Sequence, residues 1–493
     1  MGKDINAEKH SFSRHQWNWL LNQLEQEQAG VHSVMVWEEG KVLWEHWWSP
    51  YAQEKRHTLF SVSKTFTGLA VGFAVEEGLL SLSDRVVSFF PEYLPSPVCE
   101  NMAKMTVKNL LTMATGMERD PHDFYEKRRE DFQETSPCCY HGFQPDLTSD
   151  WIRNFFSHYV KYEPGTEFVY CTHGSYMLSA IVQKATGKTT AQYLNEKFFQ
   201  PLGIRDLFWE SGPDGRTVGG WGLMLKTEDL LKTGVFLLQK GNWQGNQLLS
   251  KSWVEQATSV QIPIENLPEE PNTAGYGYQI WIDRREHAFS LRGAFGQFCM
   301  VFPERRMVIA VTSGASERMY GRIMELIWES LDMCPTSSNS RALKGHIAWP
   351  EGIPSWEQPE ARRVSGIRYQ LADNFLRLRA VTFCLGGLPG EPDQLTLEME
   401  TGTFSVPVGY ECWKEGKTCV RTKDTDTDTS IFFEHTACAG AWKGQTYRVR
   451  MCFDETAYIN DWEFTFGADS IWIQHCRNCT FFAAVNLTIA GRY

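Results

Sequence analysis

The strongest constraint on the fold is a change of pattern near residue 363. Beyond it, "FLRLRAVTFCL", "QLTLEM", "YRVRMCF", "WEFTFG" and "SIWIQH" alternate apolar and polar side chains and are separated by turns. A period of two puts one face of each run into a core and leaves little room for helix, so residues 363–493 are expected to form a small all-β domain. The preceding part mixes both periods. "HSVMVWEEGKVLWEHWW" reads as a hairpin turning at "EEGK", and "HTLFSVSKTFTGLAVGFAVEEGLL", from His57, as a buried helix. "TVKNLLTMATGM" is expected to be a short helix closed by Gly116. "PGTEFVYCTHGSYMLSAIVQKATGK" gives a turn, an extended piece and a helix closed by Gly187. "GGWGLMLKTEDLLKTGVFLLQKG" reads as a Gly-rich loop and an apolar helix capped by Thr227.

After these come strand-like runs, "YGYQIWI", "AFSLRGAFGQFCMVF" and "RMVIAVTS", the last two joined as a hairpin by "PERR", and then the helix "RIMELIWESLDM". The chain of 493 residues exceeds the size at which one core usually stops growing. The Ser- and Pro-rich stretch "CPTSSNSRALKGHIAWPEGIPSWEQPEARR" supplies the break. The expected organisation is an α+β domain over 1–335, a linker over 336–362 and the all-β domain over 363–493. Residues 117 to about 160 are polar and irregular, as a lid or cleft wall would be.

A net charge of −12 argues against a nucleic-acid partner and offers no basic patch to anionic lipid. The N-terminus has no apolar signal-peptide core, and position 6 is Asn, which breaks the myristoylation pattern. No apolar run reaches the ~18 residues of a membrane span. The 13 cysteines are odd in number and scattered, which suits reduced thiols better than a disulfide framework. A cytoplasmic enzyme or binding protein, with no membrane partner, is the expectation.

Within the buried helix, Lys64 follows Ser61 by three residues, and positions i and i+3 share a helix face. A serine at the helix start can aim its hydroxyl into a cleft, and its N–H is one of the unpaired donors of the first turn. The helix dipole and apolar surroundings both disfavour an ammonium there, so the Lys64 pKa should fall. A neutral Lys64 could then take the Ser61 proton. The pattern is short enough to arise by chance, and alone it describes a solvated or snorkelling lysine better than a catalytic one.

The order of motifs carries more. A hairpin, the Ser-x-x-Lys helix, "LLTMATG", "PGTEFVY", "GGWGLMLKTEDL" and "RGAFGQFCMVFPERRMVIAVTS" together resemble the serine β-lactamase and penicillin-recognising hydrolase superfamily, in its class C-like branch, over about residues 15 to 330. That branch also holds D-alanyl-D-alanine carboxypeptidases, esterases and aminohexanoate-oligomer hydrolases. The resemblance implies a β-lactamase/transpeptidase-like antiparallel sheet flanked by helices, with a helical region, and an accessory β domain behind it. It implies no metal or organic cofactor. The family's Tyr-x-Asn motif is matched by Tyr170-Cys171-Thr172. Tyr170 is thereby implied as a proton shuttle, with Thr172 standing where the family has Asn. The family's Lys-Thr-Gly motif falls on Leu291, Arg292 and Gly293. Gly293 would let substrate lie against the strand, and the N–H groups of Ala294 and Ser61 would form the oxyanion hole.

Two departures bear on the substrate. Thr172 replaces Asn, and the cation that in the family binds a substrate carboxylate is displaced from position 291 to Arg292. Strand side chains alternate, so that shift should turn the charge to the other face. The expectation is a serine hydrolase acting on an ester or amide of a small or peptide-like substrate, through an acyl-enzyme on Ser61. Two alternatives stay open: a β-lactamase or D-alanyl-D-alanine carboxypeptidase, and a catalytically silent binding or sensor protein of the same fold.

Other features rank below these. His475, Cys476 and Cys479 have the spacing of half a zinc site but lack a second cysteine pair. Asn478 and Asn486 head glycosylation sequons read as chance matches. His173 reads as a packed or solvated histidine or as a lining of the cleft.

Overall fold

The computed structural model describes residues 11–120, 150–265, 272–333, 342–374, 376–399, 402–418, 435–479 and 487–493. Its first body is built on an eight-stranded antiparallel sheet. Across the sheet the strands run Lys41–Trp47, Val31–Glu38, Met307–Ser313, Gln297–Phe302, Phe289–Gly293, Trp281–Asp283, Thr273–Tyr276 and Ile262–Pro263. The first two form the expected hairpin, turning through Glu39 and Gly40 at φ +50° and +96°. This positive-φ pair matches the twist of the flanking strands.

Both faces of the sheet are covered over its central strands, Val31–Glu38, Met307–Ser313 and Gln297–Phe302, which are apolar at most positions, while the edge strand Lys41–Trp47 is partly exposed. Val34, Val36, Phe298 and Met300 point to one side. There they meet Trp17, Leu20, Leu21 and Leu24 of the helix Arg14–Gln26 and the apolar face of the helix Glu317–Asp332. The spacing i, i+3, i+4, i+7 on the first helix makes that stripe. Its start is fixed by a capping box, in which Ser13 Oγ accepts from Gln16 N–H and the Gln16 side chain accepts from Ser13 N–H. Met35, Cys299, Val301 and Val308 point to the opposite side. They join the main core with the helices Ser63–Glu76, Thr172–Thr186 and Thr227–Leu238.

The helix Ser63–Glu76 is buried all round, from Ser63 to Ala74. This is why its sequence shows little amphipathicity: it is a central helix with no solvent face. Phe66 in its middle is fully enclosed by Phe198, Phe199 and Trp209, a burial worth about 1.5–3 kcal/mol.

Three local expectations need correction. "YGYQIWI" is a hairpin and not one strand: Tyr276 pairs back on Trp281, and the chain turns through Gln279 at φ +61°. The Gln279 side chain compensates this turn by donating to the carbonyls of Leu110 and Leu111 at 3.1 and 3.0 Å. The short helix after Thr106 closes at Leu111, before Gly116, as the chain bends through Met113 at φ +55°. Thr227 is the first helical residue of its segment and not the cap; its hydroxyl pairs with Ser33 Oγ at 2.7 Å.

The second body is a ten-stranded antiparallel sheet from Arg368–Leu371 to Leu487–Arg492. Its terminal strands, Gly402–Val408 and Lys414–Lys417, are brought together. Gly409 N–H donates to the Cys438 carbonyl at 3.1 Å, and Gly440 N–H to that of Gly409 at 2.8 Å. The sheet is therefore a nearly closed barrel, which protects its edges. Trp442, Trp462, Tyr447, Phe464 and Phe466 fill it. The helix Pro359–Val364 belongs to this body, since Ala361 and Val364 enter its core. Between the bodies the chain touches both: Ile347 N–H donates to the Ser49 carbonyl, and Ile353 exchanges hydrogen bonds with Trp442. No helix among the described residues is long and apolar enough to cross a membrane.

Candidate active site

Ser61 sits on a 3-10 turn, Phe60–Val62, wedged between the short strand His57–Thr58 and the buried helix. The strand is tied to Leu223–Leu225, with Leu59 N–H continuing the pairing to the Leu223 carbonyl at 2.9 Å. Ser63 closes the turn by donating to the Phe60 carbonyl at 2.6 Å and accepting from Leu223 N–H at 3.1 Å. Phe60 lies at φ +48°, a left-handed conformation costing a bulky residue about 1–3 kcal/mol. The turn thus lifts Ser61 out of the helix proper while keeping its three-residue offset from Lys64.

Lys64 is 1% exposed. Its Nζ lies 3.0 Å from Ser61 Oγ and donates to the Gly220 carbonyl at 2.8 Å. It also stands 4.9 Å from the centroid of the Tyr170 ring. Burial pulls its pKa down to about 7, against the opposing pull of Asp120. In the neutral form the Nζ lone pair can accept from Ser61 while an N–H holds Gly220. The Gly220 carbonyl is the part of this arrangement that the motifs missed. The Gly220 backbone packs closely on the helix start, where a Cβ would stand 3.0 Å from Thr172 Cγ2 and the Thr172 carbonyl oxygen.

Tyr170 is half-buried on the cleft wall, stacked on Trp281 with centroids 5.6 Å apart and planes at 18°. It stands one residue ahead of Cys171, the cap of the helix Thr172–Thr186, whose first amides are held by Asp120: Thr172 N–H and His173 N–H both donate to its carboxylate. An anion at a helix N-terminus is stabilised there by the unpaired amides and the helix dipole. Asp120 thereby fixes the helix start two residues after Tyr170, a role no spacing in the sequence announces. Thr172 sits at the helix start beside Gly220 and is not in the cleft wall. His173 is packed, its Nε2 against the Trp151 carbonyl at 2.9 Å.

The third side of the site is the end of Phe289–Gly293 and the loop that follows. Gly293 pairs with Gln297. A Cβ on Gly293 would stand 2.3 Å from the Leu59 carbonyl oxygen. The glycine therefore serves the close approach of two protein backbones, a role the sequence did not suggest, and it also lines the cleft. That approach sets Ala294 beside Ser61, and both line the same cleft. The loop is pinned from behind by Gln297, which is fully buried. Its Nε2 donates to the carbonyls of Ala294 and Ser313 at 3.1 and 2.7 Å, and its Oε1 accepts from Ser313 N–H at 3.1 Å. The Ser313 hydroxyl also donates to the Phe295 carbonyl.

A cleft of about 280 Å³ is lined by Ser61, Tyr170, Trp281, Arg292, Gly293, Ala294 and Tyr320. Arg292 lies on this wall while Leu291 enters the main core, so the displaced cation is not turned away from the site. Its guanidinium is nevertheless committed. It is 4% exposed, paired with Asp283, donates to Ser290 Oγ at 2.8 Å and to Thr273 Oγ1 at 3.0 Å, and lies over Trp281. Among the described residues the cleft presents aromatic faces and a serine, and the Arg292 cation on its wall is paired with Asp283.

The remaining candidates lie elsewhere. His475 is buried against Trp462 while Cys476 is exposed on the opposite face of the same strand, so the two do not converge on one point. Asn478 is a structural clamp: its Nδ2 donates to the carbonyls of Gly314 and Ala457, and its Oδ1 accepts from Ile459 N–H. Asn486 lies outside the described residues, as does most of the stretch read as a lid or cleft wall.

Comparison with known proteins gives the family and the fold. The profile of the Beta-lactamase family matches residues 20–325. The chain is 26% identical over 240 residues to a 6-aminohexanoate-dimer hydrolase of Paenarthrobacter ureafaciens, a match covering 48% of this chain and 59% of that protein. It is 26% identical over 211 residues to a D-aminopeptidase of Brucella anthropi, covering 38% of this chain and 36% of that one. These matches leave a substantial part of each relative's length unspanned. Among solved structures, an octameric penicillin-binding protein homologue from Pyrococcus abyssi shares the fold over 96% of this chain and 99% of its own, with TM-score 0.50 at 16% identity. EstCE1, a hydrolase with promiscuous acyltransferase activity, does so over 65% of this chain and 100% of its own, with TM-score 0.51 at 18% identity.

Proposed function

This chain belongs to the Beta-lactamase family and is an enzyme of the serine hydrolase type, and from that premise we propose that it hydrolyses a neutral ester or amide through an acyl-enzyme on Ser61. The observation that carries the reading is the 3.0 Å contact between Lys64 Nζ and Ser61 Oγ, with Lys64 buried and held by Gly220. A lysine with a pKa near 7 is half neutral at physiological pH, where a general base is most effective.

Ser61 Oγ attacks the substrate carbonyl carbon as its proton passes to Lys64. The carbonyl oxygen takes up negative charge and is received by the N–H groups of Ser61 and Ala294. Two such donors typically contribute several kcal/mol to the transition state. The carbon–leaving-group bond then breaks, and the proton carried by Lys64 reaches the leaving oxygen or nitrogen through Tyr170. Water enters, gives a proton back along the same path and attacks the acyl carbon; the acid departs and Ser61 regains its hydrogen. No step calls on a metal or an organic cofactor.

The engagement of Arg292 with Asp283 and the burial of Leu291 favour a substrate that needs no carboxylate anchor. The 6-aminohexanoate-dimer hydrolase and the D-aminopeptidase among its relatives bear names of amide-bond enzymes, in keeping with acyl transfer to water. A panel of neutral p-nitrophenyl esters and amides should be turned over by the wild type and not by Ser61→Ala. Faster turnover of nitrocefin than of every ester would instead favour a β-lactamase. No turnover of any substrate would favour a binding protein.

A further inference from the structure

The core of the C-terminal barrel does not end at its own strands. Phe60 and Phe295, from the first body, are part of it, at 5% and 9% exposure. Against both stands Tyr458, 2% exposed, on the turn that follows the strand Thr446–Cys452. Its ring meets Phe60 edge-on at 6.1 Å and 90°, and Phe295 at 5.9 Å and 61°. The two phenylalanines meet each other at 5.1 Å and 84°. Edge-to-face aromatic contacts of this kind fix ring orientation as well as burying area.

The placement of those two phenylalanines matters. Phe60 directly precedes Ser61, and Phe295 directly follows Ala294. Both have left-handed backbones, φ +48° and +61°, which bulky residues hold only when their surroundings impose it. The two N–H groups assigned to the oxyanion hole thus each adjoin a strained residue, and both strained side chains are held by one tyrosine of the other domain.

The turn bearing Tyr458 is built to stay put. Phe453 N–H donates to the Tyr458 carbonyl at 3.1 Å, and Thr456 Oγ1 accepts from Tyr458 N–H at 3.0 Å. Thr58 N–H, on the strand leading to Ser61, donates to the Glu455 carbonyl at 2.9 Å. Asn478 bridges Ala457 to Gly314 at 2.9 and 2.8 Å, and the Arg477 guanidinium covers the Tyr458 ring at 4.7 Å.

We infer that Tyr458 is a positioning residue for the oxyanion hole: by bracing Phe60 and Phe295, the C-terminal domain holds the N–H groups of Ser61 and Ala294 in register for the tetrahedral intermediate. The inference rests on the acyl-enzyme reading above. It predicts a defect in the chemical step, because misplacing a donor by about 1 Å can cost on the order of a hundredfold in rate without weakening ground-state binding.

The test uses the full chain, with kcat and KM on the best p-nitrophenyl ester and rates normalised to Ser61 titrated by a fluorophosphonate. Tyr458→Ala, or Tyr458→Leu if the alanine variant does not fold, should lower kcat per titrated site about tenfold or more. KM should stay within about twofold and the pH limb should be unmoved, while Tyr458→Phe, which keeps the ring, should stay near wild type. Val449→Ala, in the same core but at a strand position paired with Gly440 and Trp462, should lower the melting temperature and leave kcat per titrated site unchanged. A Tyr458→Ala or Tyr458→Leu rate within about twofold of wild type overturns the inference. So does an equal rate loss in Val449→Ala. Absence of any Ser61-dependent adduct in the wild type overturns the hydrolase reading itself, and is told apart from failure of the inference alone by that adduct.

Discussion

Gly293 passes so close to Leu59 that a single added methyl would stand 2.3 Å from the Leu59 carbonyl oxygen. The contact ties the strand carrying Ala294 to the turn carrying Ser61, two segments more than 200 residues apart in sequence. Gly293→Ala must push these backbones apart. The expected result is a loss of kcat of about a hundredfold, with the far-UV circular dichroism of the wild type retained. A variant with unchanged kcat would show that the close approach is not what sets the site.

Lys64 predicts a pH profile. With its pKa near 7, the base is formed as pH rises, so kcat/KM should climb through about pH 7 and fall about tenfold per unit well below it. Lys64→Met should abolish this limb together with activity.

The same residue predicts stability in the opposite experiment. Its folded pKa lies below its unfolded value of 10.5, so between about 7 and 10.5 the unfolded chain holds the extra proton. Wild-type stability should therefore rise with pH across that window, by up to about 1.4 kcal/mol per unit from this group. Lys64→Met should lack that rise and exceed the wild type below pH 7, where the buried ammonium is most costly. Urea unfolding at several pH values checks both statements.

Arg292 and Asp283 predict a separation of stability from substrate choice. Each partner is almost wholly enclosed, at 2% and 3% side-chain exposure. Removing one leaves a buried charge alone, a loss of about 3–5 kcal/mol. Arg292→Met should destabilise by that order, and the added Asp283→Asn change should restore part of it. The ratio of kcat/KM for neutral over anionic esters should stay the same in Arg292→Met. A selective loss of the anionic substrate would show that the guanidinium reads a carboxylate after all.

The parts of this protein that are legible in its sequence share one property: their signal is local. Ser61 and Lys64 are three residues apart, Tyr170 stands two residues ahead of a helix, and the barrel strands repeat every second residue. The hairpin at Glu39–Gly40 and the helix end at Gly187 are equally local. Where a tertiary contact overrides a local pattern, the reading fails. "YGYQIWI" looks like one strand because the turn through Gln279 is stabilised by carbonyls near residue 110. Gly220 contributes through its carbonyl, which has no side-chain signature. Asp120 acts on a helix 52 residues later, and Tyr458 braces a turn almost 400 residues earlier. Arg292 shows a subtler limit: alternation along a strand does not say which face meets the cleft when Leu291 is drawn into the core.

The central claim is that Ser61, activated by Lys64, forms a covalent acyl-enzyme, and intact-mass measurement tests it most directly. After treatment with a fluorophosphonate, the wild type should gain one phosphonyl group, mapped by peptide sequencing to Ser61, and Ser61→Ala should gain none. Lys64→Met should label at least about a thousandfold more slowly, as expected when the activating base is removed. A wild type that stays unlabelled, or an equal adduct in Ser61→Ala, would contradict the account.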